Sequence, residues 1–177
     1  STGLIMEKTR STTVNGNTVV NSGDQLGFIG FKGNDGDQFI EGAFIIANVD
    51  GTPGNNDMPT SLSFHTTADG ASSVTQRMII DSQGFVGINE PDPVAHLHVL
   101  GNNDSGGATL ILQEANNNTA DTLGTVFFGN NANDKLARIL GFTSGSNTTS
   151  TLRFMSTSDG GNSVSYTHLR AHETDYY

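Results

Sequence analysis

The sequence has no cysteine and no tryptophan, and its three tyrosines all fall in the last 13 residues. Without cysteine there are no disulfides and no thiolate metal sites, and thiol usage leaves the compartment open. Lys and Arg number 8 against 18 Asp and Glu, a formal net charge of −10 over 177 residues. Nucleic-acid recognition needs cations gathered against phosphate, so the expected partners include neither DNA nor RNA. Anionic membrane surfaces are disfavoured by the same sign. The longest apolar run, Ala43-Phe44-Ile45-Ile46-Ala47, falls far short of the roughly 18 residues of a spanning helix. No secretory signal opens the chain and Ser1 is not an initiator, so the expectation is a fragment of a longer protein.

Small and turn-prone residues dominate what is present. Gly, Asn, Ser and Thr supply 77 of the 177 residues, and Leu, Ile, Val and Phe supply 42, about 24%. That sits just above the roughly 20% below which chains tend to be disordered. A thin core is expected, built from many short strands or completed by neighbouring subunits. Helical periodicity is scarce. Apolar residues come in short runs or alternations bounded by Gly, Asn and Asp, which predicts strands at 3–8, 26–32, 39–49, 61–66, 75–81, 85–88, 96–100, 108–114, 123–128, 136–142 and 151–157. The clearest hairpin runs from Arg77-Met78-Ile79-Ile80 through Asp81-Ser82-Gln83-Gly84 to Phe85-Val86-Gly87-Ile88, with Gly84 free to take the positive φ of a short loop. The class is all-β.

The chain also repeats itself. Leu4-Ile5-Met6-Glu7 returns as Leu110-Ile111-Leu112-Gln113, 106 residues on. Leu26-Gly27-Phe28-Ile29-Gly30-Phe31 returns as Leu123-Gly124-Thr125-Val126-Phe127-Phe128 at an offset of 97. Ser61-Leu62-Ser63-Phe64 returns as Thr151-Leu152-Arg153-Phe154 at an offset of 90. The falling offset places deletions in polar stretches, as expected of surface loops. Two tandem β units follow, residues 1–106 and a truncated 107–164, stacked as a rod. Where the second copy should continue, composition changes abruptly. Residues Val164 to Thr174 resemble the translation of a common sequencing-library adapter, as in an assembled metagenomic read, so 165–177 is expected to be a non-native tail.

The segment Arg77 to Asn89, followed by Pro91, Pro93, Leu97-His98-Val99 and Gly101, resembles a pattern of bacteriophage tail-fibre and tailspike shafts. Asn89 stands where that pattern commonly has glycine, and Asn tolerates the left-handed conformation. The Leu26-Gly27 strand and the Asp69-Gly70 turn also fit, so the resemblance covers most of residues 1–164 through the order of its motifs. It implies an elongated, intertwined or β-prism-like homotrimeric shaft on the virion tail, outside the cell, upstream of a C-terminal intramolecular chaperone. Implied partners are two further copies of the chain, neighbouring tail-fibre or baseplate proteins, and a host glycan or protein reached through a tip outside this chain. Three copies would carry a net charge of about −30, which favours solubility. Phe28, Phe31, Phe64, Met78, Ile80, Val86, Ile88, Leu97 and Val99 are the expected core or subunit contacts, with Gly84 and Gly87 as backbone-permitting positions.

Chemistry-bearing motifs are few. Gly27, Gly30 and Gly33 are interleaved with Phe28, Ile29 and Phe31 and precede no helix, so they read as strand glycines and not as a phosphate loop. His96 and His98 are spaced to share a strand face. Three such pairs on a trimer axis would offer six imidazoles to an octahedral transition metal, as in some phage fibre needles. The same residues fit the shaft pattern without metal, and no cofactor is expected. Asn34, Asp35, Asp37 and Glu41, and the loop with Asp50, Asn55, Asn56 and Asp57, lack calcium-loop spacing and read as solvated turns. No nucleophile elbow, zinc-protease or Walker motif occurs, and the chain is expected not to be an enzyme. A polysaccharide-degrading tailspike domain and a bacterial adhesin repeat are the alternatives, both weakened by the lack of aromatic sugar platforms.

Overall fold

In a computed structural model, residues 2–101, 107–115, 122–143, 150–157 and 163–166 are described. The chain is all-β, with no helix among the described residues. It divides into two units, Ser1–Thr109 and Leu110–Tyr177.

The first unit is a six-stranded sheet of β1 (Gln25–Asn34), β2 (Phe39–Val49), β3 (Thr60–Thr67), β4 (Val74–Ile80), β5 (Val86–Ile88) and β6 (Leu97–Val99). Spatial order follows chain order; the first five strands are antiparallel and β6 runs parallel to β5. The turns explain the local pairing. Between β1 and β2, Asp35 Oδ1 accepts the N–H groups of Asp37 and Gln38 at 2.9 and 2.8 Å, and Asn34 Oδ1 accepts that of Gly36 at 2.8 Å. The Gln38 N–H, then that of Asp37, hold the Asp35 carboxyl below its ordinary value. In the β4–β5 hairpin, Gly84 takes φ 81° while Asp81 Oδ1 accepts from Gln83 and Phe85 at 2.9 and 2.8 Å. Asn89 ends β5 in the left-handed region at φ 56°, as the sequence predicts.

From Asn89 the chain crosses over to β6 and covers part of one sheet face. A Cβ on Gly87 would collide with the Glu90 carbonyl oxygen and meet Ile79 Cγ2 at 3.1 Å. Ser61, Ser63, Ile79, Gly87 and Pro93 are buried, and this is where much of the unit's small core sits. A second anchor ties the segment before β1 to the end of β2. The Val49 N–H donates to Asp24 O and the Gly23 N–H to Val49 O, both at 2.8 Å. Arg10 Nε and Nη2 donate to the Asp24 carboxylate at 2.6 and 2.8 Å. Arg10, then the Asn21 N–H, hold that carboxyl well below the usual carboxylate range.

The second unit is a four-stranded antiparallel sheet of β7 (Thr122–Phe128), β8 (Ala137–Thr143), β9 (Ser150–Thr157) and β10 (Ser163–Tyr166), in spatial order β10-β9-β8-β7. Leu140 is its buried hydrophobic residue among those described.

Two expected strands differ. Residues 3–8 and 108–114 form no ladder, although β1 and β7 each pair on one side only. Strand β10 was not expected; it runs through Ser165 and Tyr166, which the sequence reading gave to the tail. Residues 167–177 lie outside the described residues.

Candidate interaction surface

Register fixes which side chains share a face, since directly paired residues project to the same side. In the six-stranded sheet one row runs Gly27, Ala47, Leu62, Ile80, Val86, Leu97 across all six strands. The neighbouring row runs Ile29, Ile45, Phe64, Met78, Ile88, Val99. Phe31, Ala43, Thr66 and Thr75 begin a third. No position in these rows is charged, and none is buried. Leu97 is 58% exposed, Phe31 55% and Ile29 46%. Arg77, the extra residue at the β3–β4 register shift, reaches the margin of the face and donates from Nε to Thr66 Oγ1 at 3.1 Å.

The opposite face is mixed. Its row reads Phe28, Ile46, Ser63, Ile79, Gly87, His98. Ser63 Oγ lies 2.9 Å from His65 Nε2, and burial pushes the His65 imidazole below its ordinary value. Phe28 meets Phe44 edge-on with centroids 5.3 Å apart.

The nine expected core or contact residues are thus sorted by the structure. Phe31, Phe64, Met78, Ile80, Val86, Ile88, Leu97 and Val99 share the open apolar face, while Phe28 lies on the other. None is buried within the chain, which corrects the expectation of a core role. The buried hydrophobic residues among those described are only Val20, Val49, Ile79 and Leu140. None of these four was singled out from sequence. The signal available was the alternation itself: Ile79 sits between Met78 and Ile80 and so must face the other way.

In the four-stranded sheet, one face pairs Gly124 with Gly141 and Leu152, Val126 with Ile139 and Phe154, and Phe128 with Ala137 and Ser156. Phe128, Ala137, Ile139 and Phe154 border an open cavity of about 310 Å³ whose lining is almost wholly apolar. A Cβ on Gly124 would lie 2.6 Å from Leu112 Cβ, and one on Gly27 would lie 2.5 Å from Met6 Sδ. In each unit the segment that forms no ladder therefore seats its third apolar residue on a strand glycine. The other two stay open: Leu4 and Ile5 are each 79% exposed, Leu110 and Ile111 72% and 73%.

The remaining sequence candidates fall as follows. Gly30 is a close-approach position, with a Cβ meeting Phe44 Cε1 at 2.7 Å, whereas nothing lies within 4 Å of one on Gly33. His96 meets the Phe85 ring at a tilt of 57°, with centroids 5.0 Å apart. His98 points Nε2 towards Glu90 Oε2 at 3.8 Å, and its Nδ1 is buried without a hydrogen-bond partner. Asp50 Oδ2 accepts the Ser82 N–H at 2.8 Å, a loop-to-hairpin tie. Among the described residues no group of three or more His, Cys, Asp or Glu stands where it could hold a metal ion.

No family model matches the chain, and no curated protein matches it. Among solved structures it is similar to the carboxy-terminal domain of the bacteriophage T5 L-shaped tail fibre, at 12% identity and a TM-score of 0.48, over 100% of this chain and 88% of that one. It is similar to the same domain with its intramolecular chaperone domain at 12% identity and a TM-score of 0.48, spanning 61% of that chain.

Proposed function

We propose that this chain is a structural stretch of a phage tail fibre whose copies associate in threes. The observation that carries the reading is the uncharged face of the six-stranded sheet, two full rows wide and left open by a single chain except where Met6 sits on Gly27. Soluble monomers rarely expose a contiguous apolar patch above a few hundred Å². Ile29, Phe31, Leu62, Ile88, Leu97 and Val99 stand exposed on four of the six strands, and burial at about 25 cal/mol per Å² favours covering them. A threefold arrangement closes such faces around an axis, so association stops at three copies. The order of motifs from Leu26 to Gly101, which resembles fibre shafts, supports the assignment to a virion tail.

In this reading the role is mechanical. The shaft holds a host-recognition tip, outside this chain, away from the particle, and repeated copies raise effective concentration at the cell surface. Neighbouring fibre or baseplate proteins flank it. The two sequence repeats, residues 1–106 and 107–164, are two copies of one β design. The shared register shift in β1 between Gln25 and Gly27 and in β7 between Thr122 and Gly124 supports that duplication. We assign no catalytic residue. His96 and His98 are polar shaft positions, their rings engaged by Phe85 and facing Glu90.

Sedimentation equilibrium of the full chain tests the proposal. The expected result is a species of three times the 18.6 kDa chain mass down to micromolar concentration. A folded monomer at that concentration overturns it.

A further inference from the structure

Charge is unevenly placed on the four-stranded sheet. Strands β7, β8 and β9 contain no Asp or Glu, while Lys135, Arg138 and Arg153 supply three of the chain's 8 Lys and Arg residues. Register puts both arginines on one face. Phe127, Arg138 and Met155 form one row, and Thr125, Leu140 and Arg153 the next. Lys135, in the turn between β7 and β8, holds Nζ over the Phe127 ring at 5.7 Å, and the Arg153 guanidinium lies over the Phe142 ring at 4.1 Å. Leu140, which is buried, stands between these rows as a small apolar centre. The face is the one turned away from Gly124, Val126 and Phe128.

None of the three cations has an ion-pair partner among the described residues, and Asp134, next to Lys135 in the turn, pairs with none of them. In the first unit, by contrast, Arg10 is matched by Asp24 and Lys32 by Glu41. Arg138 and Arg153 stand where the first repeat has Phe44 and Ser63, so the cations belong to the second unit alone. Like charges on neighbouring strands repel, and both arginines are half-buried, where water and salt screen them less. The arrangement is unfavourable until an anion meets it. We infer that this face of the second unit is a docking surface for a partner polypeptide that presents two or three carboxylates amid apolar side chains. The inference goes beyond the fibre reading; it uses neither the sheet nor the face argued for self-association and stands or falls apart from it.

The make-up of the face selects a polypeptide as occupant. Phe, Met and Arg are the residues enriched where proteins meet, and complementary charges around an apolar centre fix the register of such a contact. An arginine fork takes a carboxylate through two parallel hydrogen bonds, which adds direction to attraction. Nucleic acid fits less well. Both rings on the face already carry a cation, so neither is a bare platform on which a base stacks. A long polyanion also meets the rest of a chain whose net charge is −10. Attraction from three cations fades over about 10 Å at 0.1 M ionic strength, and beyond that reach the strand is repelled. A few carboxylates on an otherwise uncharged surface escape that penalty.

The test titrates the full chain into a short fluorescein-labelled peptide of Glu, Leu and Gly, with the same peptide carrying Gln for Glu as its neutral twin, and reads anisotropy. The Glu peptide should bind, less tightly as salt rises, and the Gln peptide should bind at least about tenfold more weakly. Arg138→Gln combined with Arg153→Gln should lower affinity for the Glu peptide at least about tenfold. Arg138→Lys combined with Arg153→Lys, which keeps both charges and loses the fork, should lower it about threefold. Lys32→Gln, at a cation already matched by Glu41, should change it less than about twofold. If the double glutamine variant fails to fold, the lysine pair and the neutral peptide carry the test. No binding of the Glu peptide, or binding that survives the double glutamine variant, overturns the inference. A single-stranded oligonucleotide that binds more tightly than the peptide through the same two arginines overturns it in favour of nucleic acid. A double glutamine variant that sediments at a smaller mass than the parent overturns it by giving the arginines to contacts between copies.

Discussion

Leu97 gives the sharpest energetic test of the open face. It lies on the outermost strand, β6, and keeps 58% of its surface exposed in one chain. Full burial of a leucine side chain is worth about 1.5–3 kcal/mol, so covering the exposed share contributes about 1–1.7 kcal/mol per chain. A closed trimer counts this three times, about 3–5 kcal/mol, which is two to nearly four decades in the association constant. Leu97→Thr removes most of that gain while keeping a β-prone side chain on the strand. Val94→Thr, at a position 80% exposed in the crossover, is the matched control. Analytical ultracentrifugation across a thousandfold range of concentration should show L97T dissociating where the parent and V94T stay assembled. If L97T dissociates no more readily than V94T, Leu97 faces water in the working assembly, and the burial argument fails at the site where it should be strongest.

Three further outcomes are expected. Gly87→Ala forces a methyl into the Glu90 carbonyl and against Ile79, so it should cost about 2–3 kcal/mol by overpacking and lower Tm by roughly 10 °C or more. Gly33→Ala, with open space around it, should stay within about 0.5 kcal/mol; equal thermal scans for the two would refute the contact. Burial lowers the His65 pKa from the free value of 6.5, so just below that value the unfolded chain binds more protons and stability rises with pH. That contribution is complete above pH 6.5 and disappears as pH falls through the folded value. The urea midpoint should therefore drop from pH 7.5 to 5.5, and His65→Gln should reduce the drop; an unchanged drop in that variant overturns the assignment. Finally, chelator should leave the melting curve unchanged, since His96 and His98 are engaged by Phe85 and Glu90; a stoichiometric transition metal by elemental analysis would contradict this.

Most of the strand order was legible in the sequence because turn chemistry is local. Asp35, Gly36, Gly84 and Asn89 each state a backbone requirement within four or five residues, and the structure meets it at the same positions. The misses share a cause. Leu4-Ile5-Met6 and Leu110-Ile111-Leu112 have strand composition, yet a strand exists only where the segment aligns with another's backbone, and composition carries no information about that alignment. The contact each segment does make, Met6 on Gly27 and Leu112 on Gly124, spans 21 and 12 residues, beyond the reach of periodicity.

The same limit governs what the exposed side chains mean. Alternation along one strand says which residues share a side, so Met78, Ile80, Val86 and Ile88 could be grouped from sequence. It does not say which side a given chain covers. That depends on the crossover from Asn89, which sets Glu90 against Gly87 and so takes the mixed face, leaving most of the more apolar one open. Burying the poorer face is the worse choice for a solitary domain, whose main favourable term is apolar burial. It is the expected choice for a chain whose richer face is reserved for copies of itself. On the proposed self-association, the thin buried core and the open apolar face are one property of the sequence, its hydrophobic residues being spaced for contacts between chains.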